Sequence, residues 1–264
     1  MDLGIGGRLA VITGASGGMG LETAKILAGE GAKLLLSDLD EESLGKAARQ
    51  IDGECVTRVA DLGSAEGAES LAELAREHGG CDILVHTAGI TGEKGDPLEM
   101  SEKAWHEAWD TDFMSAVRVA RTLVPQMVDK KRGRVVFITS ENAVQPYPDE
   151  AVYNAAKAAL LNFTKCLSLA YAGRGVLVNA VSPAFIETPM TDGMMEKRAE
   201  EKGVSMEEAI ESFLAEERPY LKLGRRGKVE EVAPVIAMLC SEHASFVTGA
   251  AWRVDGGAVG AMNL

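Results

Sequence analysis

The amino-acid sequence predicts a doubly wound α/β fold, in which one parallel sheet is covered by helices on both faces. Apolar, β-branched runs alternate with helical patterns, and a glycine-rich turn follows the first run. Parallel strands need crossover connections, which the intervening helices provide. The chain has 264 residues, of which 46% are hydrophobic, enough for one sizeable core. We therefore expect a single domain over residues 1–264.

Seven short runs are rich in β-branched or apolar residues and are expected to form the strands. They are Leu9–Thr13, Lys33–Asp38, Cys55–Ala60, Ile83–Thr87, Arg134–Thr139, Val176–Val181 and Ala250–Asp255. Between them apolar residues recur at helical spacing, as at Leu21, Ala24 and Leu27. The runs at 33–36 and 135–138 are apolar almost throughout, which is typical of strands buried on both faces.

The formal net charge of -13 argues against nucleic acid or an anionic membrane as a partner, because both require clustered Lys and Arg. The N-terminus shows no basic-then-apolar signal segment, and no apolar run is long enough to span a bilayer. We therefore expect a cytoplasmic protein.

Cysteine and histidine spacing predicts neither a disulfide framework nor a metal site. No Cys-x-x-Cys pair occurs, and the histidines show no ligand spacing, so each is expected at the surface or satisfied in the core. The residues concerned are Cys55, Cys81, Cys166, Cys240, His78, His86, His106 and His243.

The stretch from Thr13 to Gly20 is the first candidate binding element. It joins an apolar strand to a helix through a turn with glycines at positions 14, 17, 18 and 20. Glycines let backbone N–H groups approach a pyrophosphate, and a helix N-terminus favours negative charge at the same place. The pattern predicts a dinucleotide site, although a tight turn that binds nothing is the alternative.

Asp38 ends the second strand, eighteen residues after Gly20, where a carboxylate can accept hydrogen bonds from both ribose hydroxyls of adenosine. The same charge repels a 2′-phosphate, and neither Leu39 nor Gly17 supplies a cation to bind one. These residues favour NAD over NADP. Asp38 could instead cap the following helix, but Asp40 is available for that role.

Tyr153 and Lys157 are four residues apart on a predicted helix that begins near 149–151, so their side chains share a face. An ammonium beside a phenol lowers the pKa of the phenol, which can then exchange protons near neutral pH. A solvated helix face is the alternative. Ser140 supports the catalytic interpretation, because a hydroxyl at the carboxyl end of a buried strand can donate to a substrate oxygen.

Residues 190–223 interrupt the alternation of strands and helices with a segment rich in Glu, Lys and Met. An insertion at the carboxyl edge of a parallel sheet lies where ligands bind. We expect a helical substrate lid that carries Met190, Met194, Met195 and Phe213. The alternative is a surface helical hairpin whose methionines fill a core.

Together these motifs resemble the short-chain dehydrogenase/reductase family. The resemblance rests on the glycine loop, Asp38, Asp61, Ala88-Gly89, Ser140, Tyr153, Lys157, Ser182-Pro183, Thr188 and Asp255-Gly256-Gly257, and it covers nearly all of the chain outside 190–223. It implies a single Rossmann domain with the strand order 3-2-1-4-5-6-7 and no metal.

The resemblance also implies the roles of individual residues. Tyr153 would be the general acid/base, Lys157 would bind the nicotinamide ribose and tune Tyr153, and Ser140 would orient the substrate oxygen. Asp112 stands at the fourth catalytic position. The cofactor would contact Gly14, Ser16, Gly18, Met19, Asp38, Asp61, Leu62, Ala88, Gly89, Tyr153, Lys157, Pro183, Ile186 and Thr188.

Three positions depart from the family pattern. Thr87 replaces an Asn that steadies the sheet, Ala184 replaces a Gly, and Asp112 replaces the fourth catalytic residue, an Asn. The main-chain carbonyl at position 112 would hold a water, a role that Asp preserves. An Asp side chain would instead add negative charge near Lys157, or it would point away and pair with a basic residue such as Arg118.

The expected function is hydride transfer between NAD(H) and a secondary alcohol or ketone, with Tyr153 moving the proton. One alternative is an NADP(H)-dependent reductase of 3-oxoacyl thioesters, and another is a nucleotide-binding regulatory protein silenced by Asp112. The resemblance further implies a homo-oligomer, most simply a tetramer, that pairs helices at 102–130 and 152–172.

Overall fold

A computed structural model describes residues 2–261. Within them, seven parallel strands form one sheet in the order β3-β2-β1-β4-β5-β6-β7, which confirms the expected fold and strand order. The strands are β1 (Leu9–Thr13), β2 (Lys33–Asp38), β3 (Cys55–Val59), β4 (Ile83–His86), β5 (Gly133–Ile138), β6 (Val176–Pro183) and β7 (Ala251–Val254).

The helices alternate with the strands, except that two follow β4 and three follow β6 in succession. They are α1 (Gly18–Gly29), α2 (Glu41–Ala48), α3 (Ala65–Glu77), α4 (Glu102–Trp109), α5 (Ser115–Asp129), α6 (Ala151–Tyr171), α7 (Pro189–Lys202), α8 (Met206–Glu217) and α9 (Val229–Cys240). A π-helical turn at Asp110–Met114 joins α4 to α5, and 3₁₀ turns occupy Glu141–Ala143, Pro148–Glu150, Ala172–Arg174 and Glu242–Ala244.

The sheet is buried on both faces, as the uniformly apolar strands predict. All residues of β1, β4 and β5 are buried. One apolar core packs α1 and α9 against the sheet, and the other packs α3, α5 and α6 against the opposite face. Strand β6 runs two residues further than predicted, because Ser182 and Pro183 still pair with Arg253 and Val254 of β7.

Glycine at position 20 allows α1 to lie directly on the turn after β1. A Cβ at Gly20 would come within 2.4 Å of the Gly14 carbonyl oxygen, a backbone atom that is not free to move aside. The helix then buries Gly20, Thr23, Ala24, Leu27 and Ala28, a stripe at helical spacing. This packing aims the N-terminus of α1 at the carboxyl edge of the sheet.

Side-chain caps set where the helices of the inserted segment and of α2 begin. Ser205 accepts a hydrogen bond from the Glu208 backbone at 3.2 Å, and the Glu208 carboxylate accepts from the Ser205 backbone at 2.9 Å. Asp40 caps α2 by accepting from the Ser43 backbone at 2.8 Å. Asp38 is therefore not needed for capping, as predicted.

Helices α7 and α8 pack against each other and share a small apolar core. Met195 and Phe213 are buried there against Phe185, Leu221 and Ala258. No helix of residues 2–261 combines the length and apolar character required to cross a membrane.

Candidate active site

A cavity of about 600 Å³ opens at the carboxyl edge of the sheet, where the strand order reverses between β1 and β4. This is the position where doubly wound sheets bind ligands. The sequence-predicted residues that line it are Gly14, Ser16, Met19, Asp38, Asp61, Leu62, Ala88, Gly89, Asp112, Ser140, Tyr153, Lys157, Pro183, Ile186 and Thr188. Gly18 lies beside the cavity as the first residue of α1.

The glycine turn fits the phosphates of a dinucleotide. Gly14 and Gly18 have φ values of +65° and +54°, which side chains rarely adopt. No side chain caps α1 at Gly17, and no acidic residue lies in its first turn. Its first N–H groups and its positive dipole end therefore remain available to an anion.

Carboxylates define the end of the cavity beside β2. Asp38 Oδ2 accepts from the Ser16 backbone at 2.9 Å, and its Oδ1 accepts from the Leu39 backbone at 2.8 Å. Asp61 lines the same end. The Asp38 carboxylate is thus fixed where ribose hydroxyls could donate to its remaining lone pairs.

Lys157 lies at the opposite end in a buried ion pair. Its Nζ donates to the Ile138 carbonyl at 3.2 Å and lies 3.4 Å from Asp112 Oδ1. Asp112 is fully buried and also accepts from the Ile90 backbone at 3.0 Å. Gly89 is required beside this pair, because a Cβ there would come within 2.5 Å of Asp112 Oδ1.

The prediction that the pKa of Tyr153 lies below its ordinary value is wrong for the chain by itself. Burial raises the pKa of the Tyr153 phenol, and the carboxylates of Asp112 and Glu141 raise it further. Lys157 Nζ lies 5.5 Å from the centroid of the Tyr153 ring, but Asp112 opposes its field. The phenol is thus held in its protonated form.

Ser140 is buried at the end of β5 and does not stand alone. Its Oγ donates to Glu141 Oε2 at 2.8 Å and accepts from the Asn142 backbone at 3.2 Å. Burial raises the pKa of Glu141 to about 7, although Arg218 opposes this shift. A buried carboxyl with a raised pKa therefore touches the hydroxyl expected to orient the substrate.

Comparison with known proteins gives matches over nearly the whole chain. A family profile described as enoyl-(acyl carrier protein) reductase matches residues 14–259. The 3-oxoacyl-(acyl-carrier-protein) reductase of Thermotoga maritima is 33% identical over 259 residues, covering 96% of this chain and 98% of its own length. Dehydrogenase/reductase SDR family member 4 of Oryctolagus cuniculus is 32% identical over 95% of this chain and 93% of its own.

This chain belongs to the short-chain dehydrogenase/reductase family.

Solved structures of two reductases also resemble this chain over nearly its whole length. The L-sorbose reductase of Gluconobacter frateurii, complexed with NADPH and L-sorbose, superimposes with a TM-score of 0.92 at 35% identity, covering 99% of this chain and 100% of that one. An actinorhodin polyketide ketoreductase with NADPH gives a TM-score of 0.88 at 32% identity, covering 96% and 97%. Both are reductases that hold a nicotinamide dinucleotide.

Two departures from the family pattern are accommodated locally. Thr87 Oγ1 lies 2.8 Å from the Thr13 carbonyl oxygen and 3.1 Å from that of Gly14, so the hydroxyl still ties β4 to the glycine turn. Ala184 lines the cavity with its methyl group. Neither departure removes a polar contact that the site requires.

Asp112 faces Lys157, and the alternative pairing with Arg118 is wrong. Arg118 pairs with Asp110 at 2.5 Å instead. The π-helical turn at Asp110–Met114 separates the two aspartates, so that Asp110 is half-exposed and Asp112 is buried. Burial raises the pKa of Asp112, whereas the Lys157 ammonium opposes that shift. Asp112 Oδ2 is buried without a hydrogen-bond partner among the described residues.

His86 is satisfied within the core, as expected. Its Nδ1 lies 2.8 Å from Thr13 Oγ1, and its Nε2 lies 3.1 Å from Ser115 Oγ. Burial lowers the pKa of His86 to about 3, and Lys157 adds to this effect. Across residues 2–261, no three His, Cys, Asp or Glu side chains converge as metal ligands.

Sequence reasoning missed a group of charged and amide side chains beyond Ser140. The cavity is also lined by Glu141, Asn142, Glu150 and Arg218. Glu141 directly follows a candidate catalytic residue, which is the one signal that could have found it. Arg218 lies 68 residues from its partner Glu150, and no pattern in the sequence connects them.

The Asp112–Lys157 pair predicts the pH dependence of alcohol oxidation, for which the role expected of Tyr153 requires its phenolate. Replacing Asp112→Asn removes a negative charge, so the pKa of Tyr153 falls and the rising limb of kcat against pH moves down by about one unit. Asp129→Asn, at the exposed end of α5, is the control and leaves the limb in place. Superimposable profiles for wild type and Asp112→Asn would show that only the main chain at 112 contributes.

Proposed function

We propose that this protein is an NAD-preferring dehydrogenase/reductase that interconverts a secondary alcohol and a ketone, using Tyr153, Ser140 and Lys157. One observation carries the proposal: the glycine turn, Asp38 and these three side chains all line the same cavity. When bound, a nicotinamide supplies hydride exchange at the carbon. The protein's part is to hold the substrate oxygen and to move its proton.

Tyr153 acts as the general acid/base in this proposal. In reduction its phenol gives a proton to the substrate oxygen, and in oxidation the phenolate takes that proton. Ser140 orients the same oxygen. Lys157, fixed by Asp112 and the Ile138 carbonyl, supplies positive charge that favours the phenolate and is partly offset by Asp112.

NAD preference is supported by the charges at the end of the cavity beside β2. Asp38 and Asp61 line this end together with Ser16, Gly17 and Leu39, and none of these five residues is a cation. Leu39 is 66% exposed where a basic residue could otherwise meet a 2′-phosphate. Both solved relatives named above hold NADPH, so this preference would distinguish the present protein from them.

Cofactor choice is tested by fluorescence titration with NADH and NADPH, which needs no substrate. We expect NADH to bind at least about tenfold more tightly, since a 2′-phosphate beside a carboxylate costs more than ~1.4 kcal/mol. Asp38→Ala with Leu39→Arg shifts the ratio toward NADPH. Asp40→Ser, which preserves the cap of α2, leaves it unchanged. Equal or tighter binding of NADPH by wild type would refute NAD preference.

Reduction of a 3-oxoacyl thioester is the second candidate, because the Thermotoga maritima relative is named for it. The charged side chains around Ser140 favour a small hydroxylated substrate over an acyl chain. A regulatory protein without turnover is disfavoured, because Ser140, Tyr153 and Lys157 all line the cavity.

The segment at 190–223 is proposed to act as a lid over the substrate. Met190 and Met194 of α7 line the cavity, and Arg218 reaches it from the end of α8. Met195 and Phe213 serve instead as the core that holds the two helices together. The segment therefore combines the lid and the self-packed hairpin that the sequence left as alternatives.

A cytoplasmic location belongs to the same proposal. Cys55, Cys81, Cys166 and Cys240 are free thiols. Cys81 and Cys240 are buried, where burial raises the pKa of each thiol and keeps it unreactive. Unpaired thiols are typical of a reducing compartment.

A homotetramer is also proposed, supported by apolar side chains left on the surface of one chain. Leu169 on α6 is 75% exposed, Phe246 before β7 is fully exposed, and Trp105 and Trp109 on α4 are partly exposed. β7 is the last strand of the sheet and has a neighbour on one side only.

Light scattering at micromolar concentration tests the assembly. We expect a mass near four times 27.9 kDa, and the double variant Leu169→Glu, Phe246→Glu should lower it by burying charge in an interface. A wild-type mass of one chain would exclude the tetramer.

A further inference from the structure

Three buried charged side chains lie beyond Ser140 in the cavity. Glu141, Glu150 and Arg218 are 2%, 5% and 5% exposed and come from three separate parts of the chain. Glu141 opens the 3₁₀ turn after β5, Glu150 precedes α6, and Arg218 follows α8. Charged groups this deeply buried require hydrogen-bond or ion-pair partners. The contacts of each group therefore show which of its donors or acceptors still lacks a partner.

Two of the three guanidinium nitrogens of Arg218 have hydrogen-bond partners. Its Nη2 lies 2.8 Å from each Glu150 carboxylate oxygen, and its Nη1 donates to the Glu217 carbonyl at 3.0 Å. The guanidinium carbon lies 3.6 Å from the centroid of the Tyr147 ring. Within the described residues, Arg218 Nε is buried and has no hydrogen-bond partner, which is costly unless a ligand supplies an acceptor.

Glu141 presents an acceptor to the same gap. Its Oε2 is occupied by the Ser140 hydroxyl at 2.8 Å. Its Oε1 lies 3.7 Å from Arg218 Nε, too far apart for a hydrogen bond. The Nε–H of Arg218, an unused donor, and Oε1 of Glu141, an acceptor with spare capacity, therefore face each other. The other oxygen of the same Glu141 carboxylate accepts from the Ser140 hydroxyl, which is proposed to orient the reacting oxygen.

A hydroxyl group satisfies both atoms at once, because it accepts from Arg218 Nε–H and donates to Glu141 Oε1. A ketone or ether oxygen can only accept, and an alkyl group does neither. A substrate carboxylate is disfavoured, since Glu141 and Glu150 already balance the charges of Arg218 and Lys94, the latter at 2.5 Å from Glu150.

We propose that Glu141 and Arg218 form a subsite for a second substrate hydroxyl, one or two carbons from the reacting carbon. The substrate class is then a diol, or a hydroxyketone in the reverse direction. This inference rests on the proposed function. The reacting oxygen must contact Ser140 and Tyr153 for the second hydroxyl to reach the gap between Glu141 and Arg218.

Matched alcohols test the subsite by turnover. We expect kcat/KM for butane-2,3-diol or butane-1,3-diol to exceed that for butan-2-ol at least tenfold. Glu141→Leu should reduce this ratio to about two or less. Any disturbance of Ser140 affects diol and mono-alcohol alike and cancels in the ratio. Glu211→Leu, on the exposed face of α8, is the matched control and keeps the wild-type ratio.

Binding separates failure of the subsite from failure of the proposed function. NADH with an alcohol forms a complex that cannot react, so calorimetry on the NADH-loaded protein needs no turnover. We expect a diol to bind at least fivefold more tightly than butan-2-ol, and Glu141→Leu to abolish this difference. That result supports the subsite even if no alcohol is oxidised. If wild type prefers the diol over butan-2-ol by less than twofold in both turnover and binding, the subsite is overturned. That result is expected if the gap between Glu141 and Arg218 holds only water.

Discussion

The arrangement of the site depends on one close approach, that of α1 to the turn after β1. At Gly20 the helix backbone leaves no room for a Cβ, which would lie 2.4 Å from the Gly14 carbonyl oxygen. This contact places the uncapped N-terminus of α1 at the point where the strand order reverses. Because helices cover both faces of the sheet, its carboxyl edge is where polar groups from several strands can meet a ligand. Asp38, Ser140 and Lys157 are brought together there.

Several buried charged side chains line this site. Lys157 is paired with Asp112, and Glu141 and Glu150 are paired with Arg218. Each carboxylate lowers the cost of burying a cation. Burial holds the pKa of Tyr153 above its usual range, and Asp112 and Glu141 raise it further. Tyr153 is thus held as a phenol, which is the form that the proposed reduction uses.

The sequence was sufficient to predict the sheet and most of the cavity lining, because apolar strands and a glycine turn are local signals. Two strands, β1 and β2, have the predicted ends. The direction of the Asp112 side chain could not be predicted, since it depends on a π-helical turn that no residue pattern marks. Arg218 was missed for another reason: it lies in the inserted segment, and its partners Glu141 and Glu150 are brought to it only by the tertiary packing of α7 and α8.

In the proposed reaction Tyr153 moves the proton while the rest of the cavity binds the dinucleotide. This role of Tyr153 decides the proposed function. It is tested most directly by Tyr153→Phe, which removes one hydroxyl and little contact area. NADH affinity by fluorescence and alcohol or ketone turnover should be measured on the same preparation. We expect NADH binding close to that of wild type, with less than about one per cent of its turnover. Retention of more than a few per cent of turnover would place the acid/base on another residue and contradict the proposed role of Tyr153.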